Sequence, residues 1–260
     1  MSLDNLIIDG NFATIFLWFS IYSILGWIWE SSYRTIHEHK LTNSGFLMGP
    51  FIPIYGFGAL LYIALMHISL NPIFLFFVGS FLACTLEYAT SWVLEKLFHA
   101  RWWDYSKEML NINGRVCLIG FLAFGGFAII LPYLHLAISS LVGNLEEGWL
   151  ISSVVIIALL LAYDLTLTIH ELIKFNKTLE RIQKEFEQQA KPLIDLVKKG
   201  KDSLEIRYIR SRARTNEVLT RQQQRILREF PSFKSMQYPQ AFKRVRKLYS
   251  DSLKKHRNKH

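Results

Sequence analysis

NSGFLMGPFIPIYGFGALLY, residues 43–62, decides how the chain is read. It sits in an apolar run, which argues for a membrane helix. It also carries four glycines (Gly45, Gly49, Gly56, Gly58) and two prolines (Pro50, Pro53), which break helices. Hydrocarbon offers no water to an unpaired backbone group. Irregular chain at membrane depth is therefore tolerated only where it is buried in protein or lines an aqueous cavity. The stretch predicts an all-α membrane protein whose second span is broken or kinked.

The surroundings support spans. Residues 41–86 contain no Asp, Glu, Lys or Arg. That is room for two spans of about 20 residues each, with SLNP at 69–72 as the turn between them. Residues 10–29 are also uncharged and form a first span. The second is expected over about 46–68, the third over 73–96, the fourth over 116–139 and the fifth over about 148–171. The composition agrees, at 51% hydrophobic and 14% aromatic. Residues 1–11 carry Asp4 and Asp9 and no Lys or Arg, so no cleaved signal peptide is expected.

Charge divides the chain. Residues 1–172 hold six Lys/Arg against twelve Asp/Glu, whereas residues 173–260 hold 24 against nine. Three regions are expected: an external N-terminus (1–10), a transmembrane domain (11–172) and a basic cytoplasmic helical tail (173–260). In the short loops every Lys and Arg falls after span one or span three. The other loops hold Asp4, Asp9, Glu146 and Glu147. The positive-inside rule then puts the N-terminus outside and the tail in the cytoplasm.

In the tail, Leu172, Phe175, Leu179, Ile182 and Phe186 follow a 3, 4, 3, 4 spacing. This predicts that span five runs on as a helix with a heptad seam until Pro192 interrupts it. A second helical stretch is expected over about 203–229. A third follows Pro239, with Phe242, Val245, Tyr249 and Leu253 on one face. A basic amphipathic helix beside a bilayer fits membrane lipids or a partner protein. Nucleic acid is disfavoured, because no nucleic-acid fold signature accompanies the charge. A solvated charged helix that obeys the positive-inside rule is the plain alternative.

Ionisable groups inside spans usually face a bundle interior or an aqueous cavity. Glu30 ends span one, with Arg34 one turn on as an i,i+4 partner. Span three carries a stripe of Ser80, Cys84, Glu87, Ser91 and Glu95, and span five carries Asp164 and Thr168. Glu30, Glu87, Asp164 and Arg115 all fall in the inner half of their spans, at the depth of the glycine- and proline-rich stretch. The shared depth predicts a polar cavity open to the cytoplasmic side, with Glu87 its central acid and Glu30–Arg34 its rim. Pro50 and Pro53 would free backbone carbonyls towards it, and Gly45, Gly49 and Gly56 would allow close approach. Packing of helices through polar side chains is the competing explanation. In the loop FHARWWDYSKEMLNINGRVCLIG (98–120), Trp102, Trp103 and Tyr105 read as interfacial aromatics, with Arg101 and Arg115 as anchors. Cys84 and Cys117 are expected at different ends of the membrane, as small buried residues. The histidines form no metal pattern, and no metal or cofactor is expected.

LGWIWE (25–30), NSGFLMGPFIPIYGFGALL (43–61), LEYATSWVLEKLFHARWWDYS (86–106) and NINGRVCLIG (111–120) occur in order. Together they resemble the bacterial ABC-transporter permease family of the CmpB type, over about residues 15–170. The resemblance implies a multi-pass protein of the bacterial cell membrane. It places Glu30, Asn43, Gly45, Gly49, Pro50, Pro53, Tyr55, Gly56, Glu87, Trp103, Asp104, Tyr105, Asn113, Gly114 and Arg115 at signature positions. The family usually has Arg where this chain has Ser44. The expected substrate-binding set is Glu30, Asn43, Tyr55, Glu87, Asp104 and Arg115, with Gly45, Gly49, Pro50, Pro53 and Gly56 as structural breakers.

Three functions follow from these residues. A permease subunit would need a separate ABC ATPase, since the chain has no Walker motif. With only five spans it is expected to form a homo-oligomer. A membrane scaffold would instead use the tail to recruit lipid, protein or nucleic acid. An intramembrane enzyme would need Glu87 or Asp104 as general acid–base, and no nucleophile–base pair accompanies them. A non-enzymatic role is therefore expected.

Overall fold

A computed structural model describes residues 11–198 and 219–257. The expected external segment 1–10 and most of the helical stretch expected over 203–229 lie outside them. The described chain is all-helical apart from one two-stranded pair. Its elements are α1 (Phe12–Glu38), α2 (Pro53–Met66), α3 (Pro72–Phe98), β1 (Ala100–Arg101), α4 (Leu118–Gly143), α5 (Glu147–Lys198), α6 (Arg221–Glu229), β2 (Lys234–Ser235) and α7 (Pro239–Arg257). Four helices are long and apolar enough to cross a membrane: α1, α3, α4 and the Glu147–Glu185 part of α5.

Local chemistry sets several boundaries. The Asn11 side chain accepts from Thr14 N (2.9 Å) and opens α1. Asn71 Oδ1 accepts from Ile73 N (2.9 Å) ahead of α3. Thr220 and Gln223 form a capping box on α6.

The breaker-rich stretch resolves into two parts. Residues 40–52 carry no helix, and α2 has 14 residues. At 1.5 Å per residue α2 is about 21 Å long, short of the roughly 30 Å hydrocarbon core. The expected helix over 46–68 is thus shorter than its apolar run. Pro53 does not break it. It stands at the first helical position, where its fixed φ suits the turn and its missing N–H is not needed. Pro192 also departs from expectation, since α5 continues through it to Lys198. A helix interior accepts a proline at the loss of one backbone hydrogen bond.

The chain forms two compact units. The first is Met1–Val93 with Trp103–Thr168, and the second is Leu94–Trp102 with Ile169–His260. The core of the first includes Leu17, Trp18, Tyr22, Ala59, Tyr62, Ile63, Leu75, Ala128, Leu131 and Val142. Here α1 and α2 meet backbone to side chain. A Cβ on Gly26 would lie 2.2 Å from the Tyr55 ring, and one on Gly56 would lie 2.3 Å from Ser23 Oγ. Glycine at these two positions lets the helices touch. The spanning part of α5 is packed differently: 6% of its apolar window is buried, against 28–33% for the other three long helices. Its exposed side chains are large and apolar, among them Trp149, Ile156, Leu159 and Leu160.

The second unit has its own core. The seam residues Leu172, Phe175, Leu179 and Ile182 are all buried, together with Phe233, Phe242 and Val245. Phe233 packs its ring against Trp102 (5.3 Å) and Phe242 (5.2 Å). β1 and β2 pair antiparallel, with Ala100 opposite Ser235. Two expectations change here. Trp102 is a core residue rather than an interfacial aromatic, because Phe233 covers it. Phe242 and Val245 of α7 are covered by the chain's own aromatic residues rather than left free for lipid.

Candidate functional site

Non-helical chain survives in the first unit because side chains replace the missing helical hydrogen bonds. Asp164 on α5 accepts from two consecutive amides, Met48 N at 2.9 Å and Gly49 N at 2.8 Å. Thr168 Oγ1, one turn on, donates to Asp164 Oδ1 at 3.2 Å. Asn43 holds the same segment from within. Its Nδ2 donates to Met48 O (2.9 Å), and its Oδ1 accepts from Trp27 Nε1 (2.8 Å) and Gly45 N (3.2 Å). Thr35 Oγ1 accepts from Thr42 N, Ser31 Oγ from Ser44 N, and Ser23 O from Ile52 N. A Cβ on Gly49 would stand 3.0 Å from Asp164 Oδ2, so glycine keeps the clamp closed. An amide buried without a partner would cost about 1–3 kcal/mol, so each of these acceptors stabilises the segment.

Beside this segment two carboxyls meet two phenols. Glu30 comes from α1 and Tyr55 from the first turn of α2, and the two lie close enough to interact. Glu87 comes from α3, and its Oε1 accepts from the Tyr105 hydroxyl at 3.2 Å. The pairs are neighbours: Glu30 lies close enough to Glu87 and Tyr105 to interact with both, and Tyr55 feels Glu87 and Tyr105. Glu87 is 8% exposed, and its Oε2 is buried without a hydrogen-bond partner. That oxygen would lie 3.8 Å from a Cβ on Gly120, at the start of α4. Burial, with Glu87 and Glu30 facing it, pushes the Tyr105 phenol well above its usual range. Tyr105 therefore stays a neutral donor. Arg34 also acts on Glu30, while it forms an i,i+4 ion pair with Glu38 at 2.8 Å. Arg34 Nη1 also donates to Ser44 Oγ at 3.4 Å, so a cation stands at the position where the resemblance led one to expect Arg.

The other expected site residues lie near the cluster in sequence but do different work. Asp104 Oδ1 accepts from both the amide and the hydroxyl of Ser106. It thereby shapes a loop whose Tyr105 N donates to Gly114 O (2.8 Å) and whose Trp103 Nε1 donates to Arg115 O (3.0 Å). Gly114 has φ +68, and a Cβ there would meet Asp104 Oδ1 at 2.6 Å. This folded loop delivers Tyr105 to Glu87. Buried Arg115 donates to Ser91 Oγ (3.0 Å), one turn along α3 from Glu87, and covers the ring of Tyr88, the residue after Glu87. Cys84 and Cys117, expected at different ends of the membrane, are free thiols close enough to interact. The reason is that Cys117 closes the 103–117 loop against α3, where Cys84 sits one turn before Glu87.

A separate polar contact lies in the unit's core. Tyr22 on α1 and His135 on α4 share a hydrogen bond of 3.2 Å, with Trp18 set edge-on to His135 at 4.7 Å between ring centres. Among the described residues no group of three or more His, Cys, Asp or Glu could hold a metal ion. Asp164 as the backbone clamp and Tyr105 as the phenol on Glu87 were outside the expected binding set. The unusual run of glycine and proline signalled that some acceptor must face it. The shared depth put Asp164 level with that run, but nothing in the spacing made it the acceptor of the Gly49 amide, 115 residues away.

A protein-family model described as "Putative ABC-transporter type IV" matches residues 17–169, more than half of the chain. The match ends where the second unit's share of α5 begins. No curated protein and no solved structure matches.

Proposed function

The chain belongs to the "Putative ABC-transporter type IV" family, and from that premise we propose that it is the membrane-spanning permease subunit of a transporter in the bacterial cell membrane. It crosses the bilayer five times, with α2 and residues 40–52 together forming the second crossing. The N-terminus is outside and the tail is cytoplasmic, in keeping with the placement of Lys and Arg in the short loops. A separate ABC ATPase docks on the cytoplasmic loops, and copies of the chain associate to complete the path. The chain itself catalyses no reaction.

The observation that carries this reading is the Glu30–Tyr55 and Glu87–Tyr105 cluster beside a non-helical segment held by Asp164. Broken helices with polar side chains at membrane depth mark binding sites in transporters. A buried carboxyl such as that of Glu87 costs too much to keep without a use. Substrate enters a polar cavity from the cytoplasmic side. Glu30, Tyr55 and Glu87 contact it, Arg115 stands at the flank, and Asn43 and Asp104 hold the two loops that present it. Solute uptake in a deletion strain, restored by wild-type chain and not by Glu87→Gln, is the expected result. Wild-type uptake in the deletion strain, together with a pull-down that never recovers an ATPase, would overturn it.

One observation favours a second reading, a membrane scaffold. The tail folds on its own aromatic core, which supports α7 while Lys243 and Lys247 remain exposed. Such a surface suits anionic lipid or an acidic partner. A Lys243→Glu/Lys247→Glu variant distinguishes the two. A scaffold loses its phenotype with the charge, whereas a permease keeps its uptake.

A further inference from the structure

Glu30 and Glu87 lie close together, yet their surroundings differ. Glu30 has the Arg34 guanidinium and the Tyr55 phenol acting on it. Glu87 has one donor, Tyr105, on Oε1. Its Oε2 is buried with no donor at all, and the group acting on it from α1 is a second carboxyl. The remaining titratable neighbours are Cys84 on its own helix, Tyr55 on α2 and Cys117 ahead of α4. None of these brings a positive charge. Arg115, in the loop ahead of α4, donates to Ser91 Oγ and lies over the Tyr88 ring. An ionised carboxylate with one oxygen unpartnered inside a membrane unit is strongly disfavoured.

A positive charge must therefore meet Glu87 if it is to stay closed in. Oε2 is buried away from solvent, and a Cβ on Gly120 would stand in ordinary contact with it at 3.8 Å. A proton is the one cation that can reach such an oxygen without opening the packing around it. The described residues also offer no three-ligand set for a metal ion. We propose that Glu87 is a proton-binding site, at which Oε2 takes up one proton while Oε1 keeps the Tyr105 hydrogen bond, and from which the proton leaves as the site opens.

The proposal rests on the permease reading for its use and on the buried, unpartnered Oε2 for its existence. Opening would hydrate Oε2 and let Glu87 ionise, so one proton would be exchanged per cycle.

The test is an infrared pH titration of the full-length protein in lipid nanodiscs, following the C=O band of a buried protonated carboxyl. The expected result is a titrating band that is lost in Glu87→Gln and kept in Glu30→Gln. Its midpoint should move to lower pH in Glu30→Gln, where the repulsive charge is gone. It should move to higher pH in Tyr105→Phe, where the donor to the ionised form is gone. These opposite shifts decide the matter even if Glu87→Gln fails to fold. A band unchanged in Glu87→Gln, no titrating band in the wild type, or shifts of the same sign would overturn the proposal. A titrating Glu87 in a chain that moves no solute would leave the proton site standing and remove only the permease reading.

Discussion

At the scale of single residues, the clamp on residues 48 and 49 is the contact most open to test. In Asp164→Asn one amide N–H of the side chain would face a backbone N–H where a carboxylate oxygen now accepts. The expected loss is about 1–3 kcal/mol, read as a lower unfolding temperature in detergent. Gly26→Ala would drive a methyl into the Tyr55 ring, with an expected loss of about 1–3 kcal/mol for overpacking by the same measurement. Tyr105 makes a pH prediction. Its phenol ionises well above the usual range in the folded chain, whereas in the unfolded chain it ionises near about 10. The folded state therefore holds its proton more tightly. This stabilisation is complete below about pH 10 and is lost as pH rises beyond it. Tyr105→Phe should lack that share of the alkaline loss when unfolding is followed against pH.

At the scale of elements, apolar runs translated well into helices and breakers only partly so. The 3, 4, 3, 4 seam on α5 is buried from Leu172 to Ile182, because a heptad pattern specifies a face whatever covers it. What covers it came from far along the chain, as Phe233 and the apolar face of α7. Phe242→Ala should therefore destabilise the second unit by about 3–5 kcal/mol, seen as earlier proteolysis of the tail with the first unit intact. Arg246 supports the same turn, donating to Phe230 O, Pro231 O and Phe233 O. In α2 the start differed from expectation: a helix was expected from about residue 46 with Pro53 as a breaker, whereas Pro53 stands at its first position. The non-helical course of residues 40–52 was only half legible. Glycine and proline say that a helix fails, but not which acceptors the freed amides find.

For the whole molecule, the proposed topology predicts accessibility. A cysteine placed at Asn144 should react with an impermeant thiol reagent in intact cells, and one placed at Lys107 only after permeabilisation. The reverse pattern would invert the topology. Cutting the chain after Lys174 would strip Phe175, Phe233 and Phe242 from the second unit's core and leave Trp102 uncovered. Such a truncation should aggregate whatever the tail does, so charge reversal on α7 is the cleaner probe of its role.

The sequence by itself determined the membrane class, the long apolar helices, the split between a charge-poor unit and a basic tail, and the family. These follow from composition, periodicity and local motifs, which need no knowledge of distant contacts. It also marked Glu30 and Glu87 as the costly groups. Only the tertiary structure decided that Asp164 holds the broken segment, that Tyr55 and Tyr105 meet the two carboxyls, and that α7 turns its apolar face into the tail's own core. Each of these is a contact between residues far apart in the chain. Burial and hydrogen-bond satisfaction act on whatever is near in space, and spacing along the chain carries no record of that.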